Sequence, residues 1–167
     1  MNMAEKTIKT DEVVHDELER LKMKYGAETF NDVLRHVLGI DPGTDIDKLT
    51  AYLNSELRAA AKELINAVED VGTLERGYEK EYSNHRLTFK IPQTGRKVAD
   101  IAFADGRFTV RYRDAEGEMK TCGRGSESSE NGARYAETGN FSDRYDLSDV
   151  KESVNEKVGK AYRRWSQ

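Results

Sequence analysis

The sequence is poor in residues that crosslink a chain or bind metals. Its 167 residues include one cysteine, Cys122, so no disulfide can form within the chain. The three histidines, at positions 15, 36 and 85, have no regular ligand spacing with this cysteine. We therefore expect neither a metal site nor a cofactor.

Long apolar runs are missing as well. Charged residues make up 35% of the chain and the mean hydropathy is -0.82. No stretch approaches the roughly 20 apolar residues of a membrane-spanning helix, and residues 1–10 lack the apolar segment of a secretory signal. These absences predict a cytoplasmic protein without a membrane segment.

The excess of positive charge that is typical of nonspecific nucleic-acid-binding proteins is also absent. The chain has 27 basic and 31 acidic residues and a net charge of -4. In residues 1–41 alone, six basic residues oppose nine acidic ones. Any contact with DNA must therefore depend on a few local groups.

The chain length suggests one domain or two small ones. A Pro-Gly turn at residues 42–43, preceded by Gly39, indicates a boundary. We predict an N-terminal domain over residues 1–41, a linker over 42–48 and a second domain over 49–167.

Two short amphipathic helices are predicted before the linker. The first covers residues 12–25 after Asp11 as N-cap, and the second follows Thr29 as N-cap. Their apolar residues recur at helical spacing, namely Val14, Leu18, Leu21 and Tyr25, then Phe30, Val33, Leu34, Val37 and Leu38. Because a unit of about 40 residues is near the limit for independent folding, we expect it to dimerise.

Residues 5–10 alternate in the manner of a short β-strand, with Ile8 as the one strongly apolar side chain. The simplest partner is the same strand of a second chain, paired antiparallel about a twofold axis. A two-stranded ribbon of this kind fits the major groove of DNA.

The order of strand, capped helix, glycine turn and Thr-capped helix over residues 4–40 resembles the ribbon-helix-helix family of the Arc and methionine repressors. The residues that carry the resemblance are Thr7 to Asp11, Val14, Leu18, Leu21, Gly26, Thr29 to Arg35, and Val37 to Gly39. It implies a homodimer that binds double-stranded DNA, with Ile8 facing inward. The implied DNA contacts are the strand residues Glu5, Lys6, Thr7 and Lys9, and the backbone N–H groups near Thr29, Phe30 and Asn31, which would hold a phosphate.

The second domain is predicted to be α+β. The patterns favour one long helix from about residue 47 to 69, strands over 86–91, 97–104 and 107–113, and an Asp-Gly hairpin turn at 105–106. A Gly- and Ser-rich loop over 123–140, a short strand over 144–147 and a last helix capped by Ser148 follow. The predicted architecture is thus a dimeric ribbon-helix-helix followed by a helix, an antiparallel β-meander and a C-terminal helix.

This second domain resembles, less specifically, a small α+β domain of unknown function that is sometimes appended to nuclease-like or restriction-associated proteins. The resemblance is carried by Leu87 to Lys90, Gly95 to Ile101, Arg107 to Val110 and the tail from Gly139 to Tyr162. It implies a fold and no activity.

The sequence therefore favours a DNA-binding transcriptional regulator, a repressor or an antitoxin, over an enzyme. Its second domain is expected to bind a toxin or another protein. One alternative is a metal-dependent nuclease, because Asp100, Glu118 and Lys120 follow the order of a PD-(D/E)xK site. Another is an interaction protein that dimerises through the N-terminal domain without binding DNA.

Overall fold

The computed structural model describes residues 7–25, 27–38, 40, 42–81, 84–128, 132–139, 141 and 145–167. Within these residues the chain is α+β, with five helices and six strands. The helices are α1 (Glu12–Tyr25), α2 (Phe30–Val37), α3 (Ile46–Leu49), α4 (Ser55–Glu69) and α5 (Leu147–Trp165). The strands are β1 (Glu75–Glu81), β2 (Asn84–Lys90), β3 (Lys97–Ala104), β4 (Arg107–Arg113), β5 (Met119–Ser128) and β6 (Gly132–Ala136). In this part of the chain, no helix combines the length and apolarity needed to cross a membrane.

Both predicted N-terminal helices are present and begin at their predicted caps. The Val14 backbone N–H donates to Asp11 Oδ1 at 2.9 Å before α1. Thr29 has extended backbone angles before α2, and its hydroxyl oxygen accepts a hydrogen bond from the Asp32 N–H at 3.1 Å. Side-chain caps of this kind satisfy N–H groups that have no partner within the helix. The predicted C-terminal glycine of α1, Gly26, lies outside the described residues.

The prediction of one helix over residues 47–69 is wrong, because the chain forms α3 and α4 with a turn between them. The short α3 begins inside the predicted linker. Asn54 caps α4 by accepting from the Leu57 N–H at 2.9 Å. The Arg58 guanidinium donates to the carbonyls of Thr50, Ala51 and Leu53 at 3.1 to 3.2 Å. These side-chain bonds stabilise a turn that competes with a continuous helix.

The six strands form one antiparallel sheet in the order β1-β2-β3-β4-β5-β6. This is the predicted meander with three more strands. The bounds of β3 and β4 match the predictions, and Gly106 in the turn between them has a φ of 68°, which glycine adopts without steric cost.

The predicted loop over residues 123–140 is wrong, since β5 runs to Ser128 and β6 follows. Glycine has a packing role in β5. A Cβ atom on Gly123 would lie 2.8 Å from Val150, and one on Gly125 would lie 2.5 Å from Phe108. These glycines let helix α5 and a neighbouring ring approach the strand closely. Of the predicted strand over 144–147, the described residues contain a bridge between Tyr145 and Tyr135.

The core lies between one face of the sheet and the two long helices, α4 and α5. Its largest fully buried side chains are Phe89, Phe108, Leu53, Leu57, Leu64, Ile65, Leu87, Ile91 and Ile101. Helix α5 contributes the predicted stripe of Val150, Val154, Val158 and Ala161. It begins after Asp146 and not after Ser148, because Asp149 Oδ2 accepts from the Asp146 N–H at 3.3 Å, as in a capping box.

Candidate nucleic-acid interface

The unit formed by α1 and α2 has almost no core of its own. No residue of α1 is buried, and in α2 only Val33 is. The exposed large apolar side chains of the described chain all lie within residues 8–40, namely Ile8, Val13, Val14, Met23, Val37, Leu38 and Ile40. Ile8 is 74% exposed and Leu38 is 68% exposed. Apolar surface concentrated in this way is typical of an interface with another molecule.

The predicted phosphate site lies at the N-terminus of α2, where the first N–H groups have no partner within the helix. Here the Thr29 hydroxyl donates to Asp32 Oδ2 at 2.9 Å while accepting from the Asp32 N–H. The Asp32 carboxylate complements the helix dipole and would oppose a second anion at the same place. Any DNA phosphate bound here must therefore approach the first N–H groups from the side away from Asp32.

Phe30 can offer only its backbone to such a phosphate. Its ring makes an edge contact with the ring of His15, with centroids 5.3 Å apart, and lies 5.4 Å from Lys22 Nζ. The side chain therefore holds α2 against α1. Asn31, the third predicted residue here, is exposed.

The predicted reading residues Thr7 and Lys9 are exposed in the segment before α1. Residues 7–10 belong to no strand of the single chain, so the predicted ribbon is not tested by its structure. Glu5 and Lys6, the other two predicted contacts, lie outside the described residues.

Tyr52 connects α2 to the second unit of the chain, by which we mean the sheet and the helices α3, α4 and α5 (residues 46–165). Its hydroxyl donates to the backbone oxygen of Asp32 at 2.9 Å, and its ring lies 4.5 Å from that of His36. Burial, together with the negative charge of Asp32, raises the pKa of Tyr52 to about 12. Glu28, just before α2, also forms an ion pair with Arg58 of α4. These contacts fix α2 to the start of the second unit.

Asp100 is not paired with the other two residues of the nuclease hypothesis, which pair with each other. Asp100 is fully buried, and Arg111 donates to both of its oxygens, at 2.8 and 2.6 Å. Lys97 Nζ lies 3.3 Å from the same carboxylate. Glu118 pairs instead with Lys120 at 3.0 Å and raises the pKa of that lysine. Throughout the described ranges there is no group of three or more His, Cys, Asp or Glu residues that could hold a metal ion.

The sequence analysis missed a set of arginines on the second face of the sheet. We call Arg107, Arg111, Arg124 and Arg134 the arginine face. Gly123 and Gly125 lie against α5, Phe108 and α4, so Arg124 between them faces the other way. The alternation Arg107-x-Thr109-x-Arg111 is visible in the sequence. Arg124 and Arg134 were not recognised because residues 123–140 were predicted to form a loop.

Comparison of the chain with protein-family models, with curated proteins and with solved structures found no match.

Proposed function

We propose that this protein is a homodimeric, sequence-specific DNA-binding regulator of the repressor or antitoxin type, with the N-terminal unit as a ribbon-helix-helix dimer. The observation that carries the proposal is that the large exposed apolar side chains of the described residues all lie within positions 8–40. Two short helices with one buried side chain gain little from packing. A second copy of the same unit would cover the apolar residues about a twofold axis.

The ribbon would place specific side chains in the major groove. If residues 5–10 of two chains pair, the alternation of a strand puts Ile8 on the inner side and Thr7 and Lys9 on the outer side. Hydroxyl and ammonium groups there can bond to base edges. The α2 N-terminus would hold a backbone phosphate and set the register of the ribbon. In an antitoxin, the second unit would bind the toxin.

The dimer is tested by placing a charge on the apolar surface. Val37 is 57% exposed in the single chain, so Val37→Lys leaves the monomer fold intact and disfavours burial against a second copy. Light scattering after gel filtration should give twice the 19.0 kDa chain mass for the wild type and the single-chain mass for Val37→Lys. Thr73→Lys, at an exposed loop position, is the control and should remain dimeric. A wild-type protein that is monomeric at all concentrations would contradict the proposal.

Sequence recognition is tested by selecting bound duplexes from a randomised pool. The wild type should enrich one sequence, and Lys9→Ala should bind it more weakly and with relaxed base preference while remaining dimeric. Lys160→Ala, at an exposed position of α5, should behave as the wild type. A dimer that enriches no sequence would contradict sequence recognition, and a dimer that retains no duplex at all would be the interaction protein of the second alternative.

A further inference from the structure

We propose that the arginine face binds the phosphate backbone of duplex DNA without reading its sequence. This would be a second DNA contact, on β4, β5 and β6 and separate from the ribbon. The choice of DNA as the polyanion rests on the proposed function. The surface itself is argued from strand register, charge and side-chain chemistry.

Strand register places the arginines on one face. Arg107 pairs with Ser126, which pairs with Arg134 on the next strand. Thr109 pairs with Arg124. Directly paired residues of neighbouring strands point to the same side of a sheet, and the strands are about 4.8 Å apart. The guanidinium groups of the arginine face therefore form a band across β4, β5 and β6, and 'the band' below means these four arginines and the strand positions between them.

This band is positively charged within an acidic protein. Of its four arginines, Arg111 is neutralised by Asp100, whereas Arg107 and Arg134 are exposed and form no ion pair with any described residue. Arg124 donates to the backbone oxygen of Gly139 at 2.7 Å and stacks on Phe141, so none of the acidic side chains that the structure describes neutralises its charge. The described positions of β4, β5 and β6 that share this face include no acidic residue.

Among the nearby acidic side chains, Asp100 shares this face and is paired with Arg111, whereas three others lie on the opposite side or at the far edge. Glu127 accepts from the Asn54 N–H, and Glu56 accepts from the Ala133 N–H, both beside α4. Glu79 lies on β1 and pairs with Lys97 at 3.2 Å. The positive potential of the band is thus directed away from the helices, toward solvent.

The chemistry of the band favours a phosphate backbone over other partners. Arginines alternate with the hydroxyls of Thr109 and Ser126, and both groups bond to phosphate oxygens. The large exposed apolar residues that would anchor a protein partner lie elsewhere, within residues 8–40. The strand positions of the band carry no aromatic ring for stacking the bases of a single strand.

A second contact would also compensate for the charge of the N-terminal unit. That unit has six basic and nine acidic residues over positions 1–41 and repels DNA outside its few specific contacts. Arginines on the second unit would supply the sequence-independent attraction. The ribbon would then contribute selectivity, and the sheet would contribute affinity.

The test measures binding of the full-length chain to a labelled duplex of random sequence over a series of salt concentrations. Arg107→Ala/Arg134→Ala should bind more weakly at every salt concentration, and the slope of log K against log salt should become shallower by about 2 for each chain of the dimer that contacts the duplex. The control Lys160→Ala/Arg163→Ala removes the same charge from exposed positions of α5 and should retain the wild-type slope. Circular dichroism and thermal unfolding check that all variants are folded.

The outcomes separate this inference from the proposed function. Wild-type slope and affinity in Arg107→Ala/Arg134→Ala would overturn the inference, and so would an equal loss in the α5 control or tighter binding of a single-stranded probe. Sequence selection that depends on Lys9 would still support the proposed function in those cases. Conversely, random-duplex binding that needs Arg107 and Arg134, without any sequence preference or effect of Lys9→Ala, would support the sheet contact and overturn the ribbon.

Discussion

The two units of this chain differ in how much apolar surface they bury. Residues 46–165 enclose a core in which Phe89, Leu87 and Ile101 are fully buried, whereas α1 and α2 bury one side chain between them. The difference is one of area, because a sheet covered by two long helices removes far more apolar surface from water than two short helices can. We therefore expect the second unit to supply most of the free energy of unfolding and the first unit to supply the apolar surface for association.

The largest expected effect comes from removing a core side chain. Phe89→Ala should lower the free energy of unfolding by about 3 to 5 kcal/mol, because it leaves a cavity between the sheet and the helices. Met23→Ala, at a position that is 83% exposed in the single chain, should change it by less than about 0.5 kcal/mol when both variants are made in the monomeric Val37→Lys background. Urea denaturation measures both. Equal losses would mean that the first unit has a core comparable to that of the second.

A smaller effect is expected from the buried ion pair. Asp100→Asn leaves Arg111 and Lys97 facing an uncharged amide and should cost about 1 to 3 kcal/mol. The matched control is Glu17→Gln in α1, where the Arg20 partner lowers the pKa of an exposed glutamate. Exposed pairs contribute little, so thermal unfolding of the control should be unchanged. A loss as large as that of Asp100→Asn would break the contrast between the units.

Removing a helix cap should also affect unfolding differently in the two units. Asn54→Ala and Thr29→Ala each remove a side-chain acceptor at a helix N-terminus, a change that costs about 0.5 to 2 kcal/mol. Because α4 packs in the core, Asn54→Ala should lower the midpoint of global unfolding. Thr29→Ala should instead increase local opening of α2, seen as faster amide hydrogen exchange there with little change in the global midpoint. Faster exchange throughout the chain in Thr29→Ala would contradict this.

The smallest expected effect is the response to alkaline pH. Burial raises the pKa of the Cys122 thiol from its ordinary 9.0 to about 12. As pH rises above 9, the unfolded chain loses this proton before the folded chain does, so the free energy of unfolding falls between about pH 9 and 12. Denaturation at pH 7 and at pH 10 should show this loss, and Cys122→Ala should lose less. A variant with the same pH dependence as the wild type would show that other groups dominate.

Several elements were predictable because their signals are local. Caps at Asp11 and Thr29 and the Asp-Gly turn at 105–106 define α1, α2 and the β3–β4 hairpin without reference to distant residues. Of the candidate DNA contacts, the structure brings Thr29, Phe30 and Asn31 together at the start of α2. The ribbon remains a prediction, since it needs a second chain.

Other features could not be predicted because they depend on distant contacts. The turn between α3 and α4 is held by Arg58, and the same residue also pairs with Glu28. The glycines of β5 resemble those of a loop until Val150 and Phe108 are seen to occupy the space beside them. The partner of Asp100 was not predicted either, because Arg111 lies eleven residues away in the sequence and is brought opposite it only by the pairing of β3 with β4.

The sequence by itself determined α1, α2 and the β3–β4 hairpin, which hydrogen bonds between near neighbours specify, and it determined that the chain is too acidic to attract DNA over its whole surface. Tertiary structure decided which side chains meet. It buried the Asp100 carboxylate, gathered arginines from three strands onto one face and left the apolar residues of the first unit exposed. The physical reason is that strand pairing and helix packing bring together residues far apart in the chain, and no local pattern specifies those partners.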